Sequence, residues 1–314
     1  MARILLLWAT APLAAACLLA TTGRWWFAGE VACNLSLHAA ILLLPALIVW
    51  RRSVLVSTLL LGAFVIGLLP SWRAAWEERA PVPNPDQPAI TVACANLYLY
   101  NDRAVRPQAV AAALAERPDL VVLAESISSV DRVCVPLLEY PYQIWQPQLG
   151  RQWQDCVVLL SKLPITASTI HDVENQPFIS ATVDVNGRPL HVIAVHTMSP
   201  VSPTRLAERN AQFERLSEHV ARVAKDGAPV LLLGDCNLTV ASPVWRDWRD
   251  ASGLRRASGP EPASWHDLLG PYGITVDHIL GRGLALGPQT AFSIPGSDHR
   301  GLRGSIAWLP GNTP

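Results

Sequence analysis

Charge is scarce in this sequence. Asp, Glu, Lys and Arg make up 16% of its 314 residues, and 25 basic side chains balance 25 acidic ones. A chain held on nucleic acid by its overall charge carries a basic excess, so that class is not favoured. Glycine stands at only 19 residues and cysteine at six, which excludes collagen-like chains and disulfide scaffolds. Cys-x-x-Cys spacing is missing, so no structural zinc site is expected. Internal repeats are missing too. What the sequence has in excess is apolar: half of the residues are hydrophobic, which excludes a disordered chain.

That excess is concentrated at the front. Ile4–Ala20, Val31–Trp50 and Val54–Pro70 carry no Asp, Glu, Lys or Arg. Each run is near the lower length limit for crossing a bilayer core of about 30 Å as a helix. The expectation is a transmembrane region over residues 1–75 with spans at about 4–22, 31–50 and 54–70. A buried helical hairpin is the bland alternative. A cleaved signal peptide is a second one for the first run, where Ala14-Ala15-Ala16-Cys17 faintly resembles a cleavage site. Arg3 and the Arg51-Arg52 pair fall on one side of such spans, and Arg24, Arg73 and Arg79 on the other. The paired arginines in a minimal turn favour that turn in the cytoplasm, placing the large domain after the third run in the periplasm or outside the cell. Residues 76–88 form a linker with four prolines in eight residues, Pro81 to Pro88, expected to be a stiff extended spacer.

From Ala89 short apolar runs alternate with helical patterns. Ile90–Ala95, Leu120–Ala124, Val157–Leu160, Ile179–Val185, Pro189–Val195, Val230–Leu233, Val276–Leu280 and Ser305–Trp308 read as strands. Asn186-Gly187 joins two of them as a hairpin turn. Arg106–Glu116, Ser126–Leu138 and Leu206–Ala224 read as helices, the first ended by Arg117-Pro118. Hairpins mixed with helical crossovers imply mixed sheets covered by helices, an α/β (α+β) layered domain over residues 89–310. The residues outside the first 80 hold 19 basic and 22 acidic groups, so this domain is slightly acidic.

A polar residue recurs just after an apolar strand: Asn96, Glu125, His196, then Asp235 and Asn237. Singly, each suits a turn or a helix cap. Together they would converge on one rim of the sheets, where sites form. Asp277-His278 and Ser297-Asp298-His299 add carboxylates and imidazoles near the end of the chain. Carboxylates with carbonyl-type oxygens suit a hard cation such as Mg²⁺ or Mn²⁺. A divalent ion, an Asp/Asn pair to position water and a His backed by an Asp are the parts of phosphate-ester hydrolysis.

These motifs, in this order, resemble the endonuclease/exonuclease/phosphatase superfamily: Cys94-Ala95-Asn96, Leu123-Ala124-Glu125, Val195-His196-Thr197, Gly234-Asp235-Cys236-Asn237, Val276-Asp277-His278 and Ser297-Asp298-His299. The superfamily includes pancreatic-type deoxyribonuclease, abasic-site endonucleases, inositol-polyphosphate 5-phosphatases and neutral sphingomyelinases. The resemblance implies a four-layer sandwich, two packed mixed β-sheets with helices outside. It implies Glu125 as principal metal ligand, with Asn96 beside it and Asp298 helping to hold the ion. It further implies Asp235 as the group that orients and deprotonates water, and Asn237 as the holder of that water or of a phosphate oxygen. His299, oriented by Asp277, would contact the scissile phosphate. His196 would supply a second phosphate contact or protonate the leaving oxygen.

The sequence departs from the superfamily in places. Position 236, often aromatic there, is Cys; a catalytic Tyr has no clear counterpart, and Tyr140 and Tyr142 are candidates by position alone. Arg103, Arg106, Arg151, Arg205, Arg209 and Arg300 could grip phosphates or sit in solvent; Arg151, Arg209 and Tyr142 are carried as substrate-binding candidates. The expectation is a membrane-anchored, metal-dependent hydrolase of lipid headgroups or small phosphoesters. A membrane-anchored nuclease acting on DNA or RNA and a catalytically silent receptor or scaffold are the alternatives. Cys94 and Cys236 are expected as buried filling, and Cys134 with Cys156 as a possible bridge.

Overall fold

The uncharged N-terminal runs fold as helices: α1 (Ala2–Leu19), α2 (Phe27–Trp50) and α3 (Val54–Ala75). In this computed structural model, residues 2–146, 156–172, 177–225 and 227–309 are described. Two helices, α2 and α3, are long and apolar enough to cross a membrane; the described part of the first apolar helix, Trp8–Thr22, is shorter. The expected three spans are thus two candidate spans among the described residues. Small residues line their seam: Cys17, Ala39, Ala40, Ala46 and Ala63 pack with Leu43 and Leu60. Small side chains let backbones approach, which is how helices associate where water supplies no drive. By contact, residues 1–78 group with Val201–Leu206 and Thr239–Asp247, and the rest of the chain from Arg79 forms a second unit.

The second unit holds the strand-rich region. From Ile90 the elements in chain order are β1 (Ile90–Asn96), α4 (Arg106–Leu114), β2 (Leu120–Ser126), α5 (Ser128–Asp131), β3 (Tyr142–Trp145), β4 (Cys156–Ser161), β5 (Ile165–His171), β6 (Phe178–Val185) and β7 (Arg188–His196). They continue with α6 (Pro203–Val223), β8 (Val230–Asp235), α7 (Pro243–Ser252), β9 (Arg255–Arg256), β10 (Asp277–Arg282), β11 (Leu284–Leu286), β12 (Thr290–Ser293) and β13 (Arg300–Trp308). One sheet has the order β11-β13-β1-β2-β4-β3, with β12 also on β13; the other has the order β5-β6-β7-β8-β10-β9. Both are mixed: β1 and β2 are parallel, as are β7 and β8, and the other pairs are antiparallel.

The continuous apolar strands follow from burial on both faces. In β1 and β2, Val92, Cys94, Leu120 and Val122 point into a core shared with Ile179, Val192, Leu231, Leu233 and Ile279 of the other sheet. Ala95, Val121 and Leu123 point the other way, onto Ala109, Val110 and Ala113 of α4. The result is an α/β sandwich of two mixed sheets flanked by helices. Asn186 and Gly187 both have left-handed backbones between the paired Val185 and Arg188, as an Asn-Gly hairpin turn requires.

Two expectations need correction. The helix expected over Ser126–Leu138 is only α5 and a 3₁₀ turn at Arg132–Cys134, because Val135 is extended, the conformation favoured before Pro136. The Pro-rich linker is not a free spacer throughout. Ala80 is buried and its N–H donates to the Arg256 carbonyl (2.8 Å), Leu286 N–H donates to the Pro81 carbonyl (2.8 Å), and Gln87 Nε2 donates to the Trp308 carbonyl (2.8 Å).

Candidate active site

Strand register brings the polar strand ends together. Asn96 ends β1 beside Ala124 of β2, which puts Glu125 one residue further along the same rim. In the other sheet His196 is paired with Asp235, and Asp235 with Asp277 at the start of the antiparallel β10. Gly234, before Asp235, has a left-handed backbone, and a Cβ there would run into the Val195 carbonyl; only glycine lets β8 lie so close to β7 at this point. The β2–β4 register shifts between Leu123 and Ser126, and Glu125 within that bulge has φ of 54°. A bulge re-aims a side chain, here the Glu125 carboxylate, toward Asn96.

The contacts are direct. Asn96, fully buried, donates from Nδ2 to Glu125 Oε1 and to Asp235 Oδ2, both at 2.9 Å, while its Oδ1 accepts from Tyr98 N–H (2.9 Å). Leu99 N–H donates to Glu125 Oε2 at 2.5 Å. His196 Nε2 lies 3.6 Å from both Glu125 Oε1 and Asp235 Oδ2. His299 Nε2 lies 3.7 Å from Asp235 Oδ2, and its Nδ1 is 2.8 Å from Asp277 Oδ2. Asn237 N–H donates to Asp235 Oδ1 (2.8 Å), and its side chain donates to the Thr197 carbonyl (2.9 Å).

Burial sets the electrostatics. Desolvation alone would raise the Glu125 carboxyl, but His196, the Asn96 amide and the Leu99 N–H outweigh it and hold it below its ordinary value. Asp235 is pushed up, first by burial and then by the neighbouring Asp277. Burial works against a charged His299, yet Asp277 and Asp235 prevail and raise it. On one rim the shifts thus run in opposite senses, Glu125 down and Asp235 and His299 up. Opposed shifts among buried neighbours at the end of two sheets mark a candidate functional site.

A family profile matches residues 93–299, from the strand of Asn96 to His299, well over half of the chain. The chain belongs to the Endonuclease/Exonuclease/phosphatase family. Members of this family hydrolyse phosphate esters. No protein with a curated description matches the chain. Among solved structures, sphingomyelinase C from Streptomyces griseocarneus is similar at 20% identity with a TM-score of 0.52, covering 69% of this chain and 99% of that one. The human nocturnin catalytic domain with bound sulfate is similar at 18% identity and a TM-score of 0.57, covering 71% and 96%. A double mutant of beta toxin from Staphylococcus aureus with bound magnesium ions is similar at 16% identity and a TM-score of 0.55, covering 71% and 100%. At these identities the likeness is one of fold, and it matches the family assignment.

Of the residues singled out by sequence, Asn96, Glu125, His196, Asp235, Asn237, Asp277 and His299 form this one connected cluster. Asp298 joins through a neighbour: its Oδ2 accepts from Trp265 Nε1 (3.1 Å), while its Oδ1 is buried without a hydrogen-bond partner. Tyr142 does not join. It pairs with Ser161, which pairs in turn with Leu120 at the opposite end of β2 from Glu125. Tyr140 is a core residue whose hydroxyl donates to the Pro118 carbonyl (2.9 Å). Arg209 is fully buried and donates to the Asn237 carbonyl (2.9 Å) instead of facing a substrate. Arg151 lies outside the described residues. Cys94 and Cys236 are buried free thiols pushed up by burial, as expected of filling. Cys134 is also a free thiol, its Sγ donating to the Val130 carbonyl; the side chain of Cys156, its expected partner, lies outside the described residues.

Sequence reading missed two supports, Ser264 and Trp265, and gave Ser297 of the Ser-Asp-His motif no role of its own. Ser264 Oγ accepts from both Val276 and Asp277 N–H (3.0 Å each), fixing the start of β10. Ser297 Oγ donates to the Asn96 carbonyl (2.8 Å) and accepts from His299 N–H (3.0 Å), tying the two ends of the domain together. Trp265 bridges to His299 in the backbone as well as to Asp298 in the side chain. Isolated serines and tryptophans leave no periodic signal by which to find them.

Proposed function

We propose that the protein is a membrane-anchored, divalent-cation-dependent phosphodiesterase whose substrates are lipid headgroups or small phosphoesters. The observation that carries the chemistry is the connected cluster Glu125–Asn96–Asp235–His196–His299–Asp277. The donor set fits a hard cation: Glu125 is held ionised, and Asp298 has a buried carboxylate oxygen with no partner. Asp235, Asp277 and His299 also lie close enough to hold an ion. We assign them to proton handling instead, because His299 and Asp277 are already bonded to each other. Glu125 and Asp298 are the residues that would hold the cation. Asn96 turns its N–H to the carboxylates and its oxygen to Tyr98, so in this arrangement it orients Glu125. The beta toxin neighbour carries magnesium, which supports Mg²⁺ or Mn²⁺ here. Bound, the ion supplies Lewis-acid charge to the phosphoryl oxygens.

The chain's own residues do the rest. Asp235, raised in basicity by burial, takes the proton of the attacking water, and Asn237 N–H holds the carboxylate in place. His299, kept charged by Asp277, donates to a phosphoryl oxygen as negative charge builds there. His196, 3.6 Å from Asp235, contacts a second oxygen or protonates the leaving group. The substrate reading draws support from the rim. Leu268, Leu269 and Tyr272 are exposed in an uncharged stretch of the loop that begins at Trp265 beside Asp298. An apolar border suits a substrate with an apolar portion better than a polyanionic backbone, and the sphingomyelinase name of one neighbour points the same way.

Membrane attachment is supported by α2 and α3, whose outward Leu42, Ile48, Leu55, Leu59 and Leu61 are exposed. The Arg51-Arg52 turn joins these helices, and the positive-inside rule keeps it cytoplasmic. The catalytic domain beyond α3 is then periplasmic or extracellular, whatever side the N-terminus takes. Purified full-length protein should cleave bis(p-nitrophenyl) phosphate and phospholipid or sphingomyelin vesicles in Mg²⁺ or Mn²⁺, and stop in EDTA. Cleavage of plasmid DNA or RNA in preference to vesicles would replace the substrate class. Undiminished turnover in EDTA would end the metal mechanism. A fluorescent reporter that matures only in the cytoplasm, fused after Pro314, should stay dark.

A further inference from the structure

Two fully buried arginines, one beside each sheet, take no part in that chemistry, and both hold backbone carbonyls of the site. Arg106, at the start of α4, donates from Nη1 to the Tyr98 carbonyl (2.9 Å) and from Nη2 to the Glu125 carbonyl (2.7 Å). Its guanidinium is aligned by Asp131, with Nε on Oδ1 (2.8 Å) and Nη2 on Oδ2 (2.7 Å). Asp131 is fixed in turn by Ser126 Oγ (2.9 Å) and Ile127 N–H (2.7 Å). Arg209, on α6, donates from Nη1 to the Asn237 carbonyl (2.9 Å) and from Nη2 to Asn210 Oδ1 (3.0 Å).

The three carbonyls belong to residues of one kind. Tyr98, Glu125 and Asn237 have φ of 60°, 54° and 44°, and they are three of the six non-glycine residues with left-handed backbones among those described. A residue with a Cβ holds that conformation only when its surroundings determine it. At each of the three, a buried guanidinium is such a surrounding. The consequence differs between the sheets. The left-handed turn at Glu125 aims the carboxylate that would hold the cation. The left-handed turn at Asn237 aims the N–H that holds Asp235 Oδ1 at 2.8 Å.

We propose that Arg106 and Arg209 are matched positioning residues: Arg106 sets the site's affinity for the divalent cation through Glu125, and Arg209 sets turnover through Asn237 and Asp235. The inference rests on the metal-dependent hydrolase reading. A planar fork with five N–H donors can serve Asp131 and two carbonyls together; a lysine ammonium keeps the charge but lacks that fork.

The experiment uses full-length protein in detergent, with Mn²⁺ binding followed by the loss of the free-ion electron paramagnetic resonance signal. Turnover of bis(p-nitrophenyl) phosphate is measured at saturating Mn²⁺, and circular dichroism reports folding. Arg106→Lys should raise the Mn²⁺ Kd about tenfold and leave saturated kcat within about threefold. Arg209→Lys should lower kcat about tenfold and leave Kd unchanged, the lower end of what supporting residues around a metal site contribute. A general loosening of the fold would not separate the two quantities in opposite senses. Folded variants with wild-type Kd and kcat, or both variants moving the same quantity, would overturn the proposal. Arg106→Met with Asp131→Leu, which leaves no buried charge, is the second variant for the first sheet. Arg209→Met serves the second sheet. If neither the lysine nor these variants fold, the arginines support the domain as a whole and the local role is wrong. A folded wild-type protein that neither binds Mn²⁺ nor cleaves the ester would instead sink the hydrolase reading, and this inference with it.

Discussion

The two ends of the sandwich both carry titratable side chains, in opposite circumstances. At one rim Asn96, His196, Asp235, Asp277 and His299 are buried, each within hydrogen-bond or ion-pair distance of another, with Glu125 only partly open. At the other, around the starts of β2 and β3, Arg117 meets Glu139 at 2.6 Å with the arginine side chain 73% exposed, and Lys162 lies 3.6 Å from the same carboxylate. Water screens the second set, so its members interact weakly. The first set is shielded, which is why burial and one neighbour can push Asp235 up while His299 is kept charged. The difference teaches that charge count does not locate a site; what locates it is charge held at strand ends out of water.

The sharpest way to break that comparison is to remove charge from the buried rim. Glu125→Ala and Asp235→Asn should each lower kcat by about a hundredfold to a thousandfold, the scale for losing a cation's ligand, an acid–base group or a transition-state donor. Circular dichroism should remain that of the wild type. The two should differ in one respect, since Asp235→Asn keeps Glu125 and should still bind Mn²⁺. Full activity in a folded Asp235→Asn protein would mean that the proton acceptor lies elsewhere. Asp277→Asn is expected to cost less, about tenfold to a hundredfold, because Asp277 acts through His299 at 2.8 Å and touches no substrate.

How far the sequence revealed this rim can be said residue by residue. Strand-end positions were legible because an uninterrupted apolar run followed by Asn, Glu, His or Asp marks where a buried strand meets its loop, and register then does the gathering. The Asn-Gly hairpin and the cores of β1, β2, β7, β8 and β10 were legible for the same reason. Short or edge strands were not: β3, β5 and β12 are partly exposed and mixed in composition, with no run for a pattern to catch. Arg106 and Arg209 were invisible as buried groups. An arginine's fate depends on partners such as Asp131, 25 residues away in sequence, and no periodicity records that. Arg51-Arg52 and the apolar runs pointed to the membrane, but the first run is shorter in its described part than its lack of charge suggested.

Another buried imidazole offers a test of burial without catalysis. His219 of α6 packs against His171 (ring centroids 4.5 Å) and Phe178 (5.3 Å), and its Nε2 is 2.8 Å from Ser180 Oγ. Burial first, and then His171, Arg222 and His191, push it down to about 4. The folded state thus disfavours the protonated imidazole. Above pH 6.5 neither state binds the proton and His219 has no pH effect; as pH falls from about 6.5 toward 4, the unfolded chain gains it and stability drops. From pH 7.5 to 4.5 the wild type should lose roughly 1–3 kcal/mol more than His219→Phe, as read by urea unfolding. Equal losses in the two proteins would show that this imidazole is protonated without cost.

The smallest effect belongs to the far rim. Tyr142 looked like a substrate contact from its place in the chain between Glu125 and His196. Its register with Ser161, and that of Ser161 with Leu120, instead puts it at the far end of β2 from the bulge that aims Glu125. It lies on a short edge strand and is 36% exposed, so truncating its ring leaves no large buried cavity. Tyr142→Ala should therefore change kcat/KM on bis(p-nitrophenyl) phosphate and on vesicles by less than about twofold, within the usual range for a surface substitution remote from the chemistry. The same substitution is informative because it separates two ideas of the substrate. A small ester or a lipid headgroup engages only the near rim, whereas a long polymer could run along the sheet edge past β3. A loss confined to DNA or RNA cleavage would mark that path and favour a nucleic-acid substrate. A loss on the small ester would mean that the two rims are not as separate as the register makes them.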